Sequence, residues 1–176
     1  MDYNKLFDDA LNHVLEDYRD NKIRFYSERD LQGHLFHECR RLMEERSFPF
    51  PLKLYADRSV FSKRSKVDLV LGDNEILVEM KLEPNYPGVN KPVVFSTKSE
   101  AAGSGSVEGD LEKIEKYARK GKCAHFVMID EDGRHVRRIA TEKWKTIPVK
   151  RGQRKKPSHY LHVKQDGRRR AQKSLG

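Results

Sequence analysis

Cysteine, tryptophan and long apolar runs are all scarce in this chain of 176 residues. Cys39 and Cys123 are its two cysteines, far apart and without metal-ligand spacing, so neither a disulfide scaffold nor a zinc finger is indicated. Two buried thiols in a reducing cytosol are the expectation, and the protein is read as cytoplasmic. No apolar run approaches the ~20 residues of a membrane span. The opening Met1-Asp2-Tyr3-Asn4-Lys5 lacks the basic start and apolar stretch of a secretion signal. Hydrophobic residues make up only 36% of the chain, and its length allows one modest core but not two sizeable domains.

Charge, by contrast, is abundant, and its position is informative. The net charge is +9. Residues 150–176 hold ten of the 36 basic side chains and one of the 27 acids. That segment alone carries the excess, and the other 149 residues balance at 26 of each sign. The chain therefore reads as one neutral domain, 1–149, with a basic C-terminal tail, 150–176. Lys150, Arg151, Arg154, Lys155, Lys156, Arg168, Arg169 and Arg170 are the candidate nucleic-acid contacts, since such a tail holds phosphates by releasing counterions. A solubilising terminus is the competing reading.

Leu6, Phe7, Ala10, Leu11, Val14, Leu15 and Tyr18 recur at helical spacing and predict an amphipathic helix ending near Asn21. Ser27-Glu28-Arg29-Asp30 then looks like a capped helix start. Leu31, Leu35, Cys39 and Leu42 continue one face until Pro49 and Pro51. Leu52, Leu54 and Ala56 alternate like a strand, and a basic connector with Arg58, Lys63, Arg64 and Lys66 follows. Residues 67–71 and 75–83 predict two strands joined by the turn Gly72-Asp73-Asn74. Residues 84–109 read as irregular, with a brief strand at Val93-Val94-Phe95 and a flexible loop at Gly103-Ser104-Gly105-Ser106. Further on, the pattern predicts a helix over 110–120, a buried strand over 123–130 and an edge strand over 134–139. Trp144, Ile147 and Val149 would close the core, and a strand over 159–163 is left open. The order implies an α/β sandwich around a mixed sheet.

Three charges stand inside the predicted hairpin. Asp68 interrupts one apolar strand, and Glu79 and Lys81 share one face of the next, opposite Val78, Met80 and Leu82. Charges at such positions are costly unless paired or coordinated to metal. Either Lys81 bridges the acids on a solvated face, or the three form a catalytic set.

The pattern Val67-Asp68-Leu69-Val70-Leu71, turn, Ile76-Leu77-Val78-Glu79-Met80-Lys81 resembles the PD-(D/E)XK nuclease superfamily over roughly residues 27–130. Val67 stands where the family's name has proline. The resemblance implies a restriction-endonuclease-like α-β-β-β-α-β core with a mixed central sheet flanked by helices, plus an extra N-terminal helix. It implies catalytic roles for Asp68, Glu79, Lys81 and Glu28, with Glu38 the runner-up for the extra acid. Asp110 and Lys113 resemble a polar pair on the helix after the active strand. By the same resemblance, Asp68, Glu79 and the Met80 carbonyl would hold Mg²⁺, with Mn²⁺ a substitute, and hard oxygen ligands suit that ion. The implied activity is phosphodiester hydrolysis, with DNA favoured over RNA. A non-catalytic nucleic-acid-binding protein on the same fold is the alternative.

Other features are weaker. His34, His37 and Glu38 do not follow the zinc-protease order and suit a solvated helix face. The Gly103–Ser106 stretch lacks a phosphate-binding lysine. Tyr160, between His159 and His162, is expected in the core rather than stacked on a base. The first helix is expected to pack on this domain, with a homodimer contact as the other option.

Overall fold

A computed structural model describes residues 2–62, 65–85, 93–95, 106–139, 141–148 and 157–167. The elements run α1 (Tyr3–Arg19), α2 (Glu28–Glu45), β1 (Leu54–Ser62), β2 (Ser65–Leu71), β3 (Ile76–Glu83), α3 (Val107–Arg119), β4 (Cys123–Asp130), β5 (Trp144–Ile147) and β6 (Ser158–Asp166). They form an α/β fold: one six-stranded mixed sheet in the order β1-β2-β3-β4-β6-β5, with helices on both faces. The pair β3–β4 is parallel, with α3 as its crossover, and the other pairs are antiparallel. None of the described helices is long and apolar enough to cross a membrane.

Each helix start has a local cause. Asp2 caps α1 by accepting from the Asn4 and Lys5 amides. Ser27 and Asp30 form a reciprocal capping box on α2. Ser106 accepts from the Gly109 amide, so α3 starts at Val107, three residues before the expected Asp110. The apolar stripe of α1 is buried from Leu6 to Tyr18 against α2 and the sheet, as expected for a helix packed on this domain.

Strand alternation divides the core into two layers. Leu69, Leu71, Val78, Met80, Leu82, Val127 and Ile129 pack towards α1 and α2. Val70, Leu77, Phe126, Met128, Leu161 and Val163 pack towards α3. The strands β3 and β4 are buried along their whole length, being central in the sheet.

Four expectations need correction. The boundary at 149/150 does not separate a body from a tail, because β6 lies inside the sheet between β4 and β5 and buries Leu161 and Val163. Residues 134–139 are turns rather than an edge strand. The Asp130 carboxylate accepts from the Gly133, His135 and Val136 amides and curls the chain back. Arg58 and Lys66 belong to β1 and β2 and pair Arg58↔Val67 and Ser59↔Lys66 rather than forming a connector, and Lys63 and Arg64 lie outside the described residues. Of the brief strand at 93–95, one bridge exists, Phe95 to Ser106.

Candidate active site

The hairpin β2–β3 is closed at its turn and open at its other end. Its described pairs are Leu71↔Ile76, Val70↔Leu77 and Leu69↔Val78. Beyond them the strands part, and a side chain replaces the ladder: the Met80 amide donates to Asp68 Oδ2 at 2.7 Å. N–H and C=O of one strand residue point the same way, so the Met80 carbonyl also faces this gap. It accepts from Lys81 Nζ at 3.0 Å.

Around the gap the fold gathers residues from four elements. Asp68 comes from β2, Glu79 and Lys81 from β3, and Glu28 from the first turn of α2. Asp110, Lys113 and Tyr117 come from one face of α3. Lys81 Nζ lies 3.2 Å from Glu28 and 2.9 Å from Asp110. Lys113 Nζ lies 2.5 Å from Asp110 and 3.4 Å from Glu79. The Tyr117 hydroxyl donates to Glu79 Oε1 at 2.8 Å. Glu79 and Asp110 are each 2% exposed and Lys81 is 8% exposed, so these charges are deep in the protein.

Four carboxylates face two ammonium groups here, and burial dominates the pKa directions of the acids. Burial, reinforced by Asp68, pushes Glu79 up to about 7. Burial also pushes Asp68 up to about 6, against the opposing hydrogen bond from Met80 and the charge of Lys81. Glu28 is raised as well, again by burial. Burial alone would depress Lys81, but Asp110 and Glu28 outweigh it and hold the ammonium above its ordinary range. Burial thus disfavours the charged form of these acids, and two ammonium groups among four carboxylates do not offset it.

The donor set fits a hard divalent cation: buried carboxylate oxygens and a backbone carbonyl facing one gap, with too little positive charge between them. The lysines lie against the same acids, so these oxygens are not drawn into one tight triad.

The structure brings together Asp68, Glu79, Lys81, Met80 and Glu28 from the predicted site, along with the Asp110–Lys113 pair. Glu38 is elsewhere: it pairs with Arg41 and His13, and chiefly the Arg41 contact pulls it down to about 2. Glu28 is therefore the acid of α2 that reaches the gap. Lys150, Arg151, Arg154, Lys155, Lys156, Arg168, Arg169 and Arg170 lie outside the described residues. His34 rests edge-on against Phe25, His37 is exposed, and Tyr160 packs against the core. Tyr117, on the helix predicted over 110–120, is the site residue that the sequence did not single out. Its signal was the spacing Asp110, Lys113, Tyr117, which puts all three on one helix face.

A shallow cleft of about 280 Å³ adjoins the gap between α2 and β1, lined by Arg29, Gln32, Phe36 and Asp57 among others. Gln32 ties it to the site by donating to the Asp68 carbonyl at 2.6 Å. Compared with family models, with curated proteins and with solved structures, the chain matches none.

Proposed function

We propose that this protein is a Mg²⁺-dependent nuclease of the PD-(D/E)XK type, acting on DNA from the cytoplasm. The observation that carries the reading is the convergence of Asp68, Glu79, Lys81 and Glu28 on the parted end of one hairpin. The order α2-β1-β2-β3-α3-β4 supports it as well, since it runs in the helix, three strands, helix, strand sequence of that superfamily's core. The two cysteines, both buried and not joined in a disulfide, suit a reducing compartment.

Asp68, Glu79 and the Met80 carbonyl would hold the ion. When bound, Mg²⁺ acidifies an attacking water and neutralises charge on the scissile phosphate. The chain's own residues prepare for that. Tyr117 orients Glu79 through its hydroxyl, and the Met80 amide fixes Asp68. Glu28 and Asp110 keep Lys81 protonated and steered into the gap, as electrostatic stabilisation of phosphate oxygens requires. Arg29, at the adjoining cleft, offers a contact for the flanking backbone.

The test is cleavage of duplex, branched and single-stranded DNA and of RNA with Mg²⁺ or Mn²⁺. Asp68→Ala, Glu79→Ala and Lys81→Ala should each lower the rate by at least about 100-fold while the protein stays folded. Unchanged rates in all three would refute the site.

A second reading is favoured by the closeness of the lysines to the acids: the fold would bind nucleic acid without cutting it. It predicts binding that survives the three substitutions and no product from any substrate.

A further inference from the structure

The opposite face of the sheet carries a second set of titratable groups that the nuclease reading does not use. His125 of β4 is wholly buried, and its Nδ1 lies 2.9 Å from Nε2 of the half-buried His162 of β6. Asp8 of α1 approaches the same point, its Oδ1 being 4.0 Å from His125 Nδ1. One ligand atom from each of the three lies within 4.8 Å of the other two. Phe7 packs edge-on against both imidazoles and covers them from the α1 side.

The hydrogen bonds define which nitrogen is free. His125 Nε2 lies 3.0 Å from the Asn4 amide oxygen, which only accepts. Nε2 therefore carries the proton, and Nδ1 presents a bare lone pair. Burial keeps both imidazoles below their ordinary pKa, so both are neutral at neutral pH. His162 could donate its own proton to His125. That would still leave Asp8 Oδ1, a buried oxygen with no hydrogen-bond partner among the described residues, facing the rings. A cation between the three satisfies both lone pairs and the carboxylate together.

We propose that Asp8, His125 and His162 form a binding site for a divalent transition cation of the zinc class, clamping the first helix to the last strands of the sheet. Two imidazoles and one carboxylate suit zinc rather than magnesium, and water would complete the tetrahedron. Zn–N bonds of about 2.0–2.1 Å put tetrahedral ligand atoms about 3.3 Å apart. The histidine nitrogens would part by about 0.4 Å, and Asp8 Oδ1 would close by about 0.7 Å on His125 and by up to about 1.5 Å on His162. Asp8 is half-buried on the helix surface, so it has room to move. Lys164 holds its other oxygen at 3.3 Å, which leaves Oδ1 for the ion. Asn4 acts as the outer partner that orients His125. The site lies across the sheet from the acidic gap, so it is independent of the nuclease proposal.

The test uses the untagged full-length chain, stripped with chelator, carrying Glu79→Gln so that the acidic gap does not compete for the ion. Zn²⁺ should bind at one equivalent per chain. It should raise Tm by about 5–10 °C at a hundredfold excess over Kd. X-ray absorption at the zinc edge should find two imidazole ligands. Asp8→Asn and His162→Gln should each weaken binding at least tenfold and abolish the Tm rise, with Tm in chelator close to that of the parent. Absence of a zinc-dependent rise, or a rise unchanged in His162→Gln, overturns the proposal. So does a spectrum with fewer than two imidazoles, which holds whether or not the variants fold.

Discussion

Replacing Glu79 by glutamine should stabilise the metal-free protein much more at pH 8 than at pH 5. Burial raises the folded-state pKa of Glu79 from 4.5 to about 7. Between those values the folded state binds more protons than the unfolded chain, so stability falls as pH rises through the window and then levels off. Asp68 has the same sign over the window from 3.8 to about 6. The gain at pH 8 should be about 1–3 kcal/mol, several degrees in Tm, as read by thermal melts in chelator. A gain independent of pH would mean that burial does not hold the Glu79 carboxyl above its ordinary range. The converse holds for Lys81→Met, which removes the cation from between Glu28 and Asp110. It should cost about 3–5 kcal/mol in a urea melt at pH 8, and less below pH 6, where the neighbouring Asp68 and Glu79 take up protons. These residues show how far a motif can be read. Asp68, Glu79 and Lys81 stand out because charges interrupt apolar strands. Tyr117 did not, since an aromatic on an apolar helix face looks like core until its hydroxyl meets a carboxylate.

At the scale of elements, β6 is the informative case. Its nine residues include His159, His162, Lys164 and Asp166, and basic runs flank it, so composition hides a strand that buries Leu161 and Val163. Pairing with β4 from Cys123↔Asp166 to Asp130↔His159 is a long-range fact that no local pattern encodes. Removing residues 157–176 should therefore abolish cooperative unfolding, because Phe126 and Met128 lose their cover and β4 becomes an open edge. Gly167 closes the strand against α3, where an added Cβ would collide with the Ala118 carbonyl. Gly167→Ala should lower Tm by several degrees, and a neutral result would mean that the end of β6 can shift without cost. The misread segment 134–139 fails for a related reason. Its apolar alternation is weak, and the Asp130 carboxylate captures its amides before a strand can form.

For the whole molecule, the charge argument has to be tested without deleting the segment that carries the charge. Lys150, Arg151, Arg154, Lys155, Lys156, Arg168, Arg169 and Arg170 flank β6, so the informative variant replaces these eight by glutamine and leaves 157–167 intact. DNA affinity should fall, and the slope of log K against log salt should shrink by about 0.9 for every phosphate that is no longer neutralised. An unaltered slope would exclude these side chains as phosphate anchors.

The chain order alone was enough for the α/β class, the two leading helices, the turn at Gly72 and the three charges of the hairpin. Those features depend on periods of 2 and 3.6 residues and on turn chemistry, which act over a few positions. Three other matters needed the assembled sheet. Glu28 rather than Glu38 reaches Lys81, because the start of α2 meets the parted end of β2–β3 while Glu38 is spent on Arg41 and His13. Residues 158–166 are core strand and not tail, because burial depends on what packs from elsewhere in the chain. Asp8, His125 and His162 meet, although 154 positions separate the first from the last, because α1 lies across the two strands that carry the imidazoles.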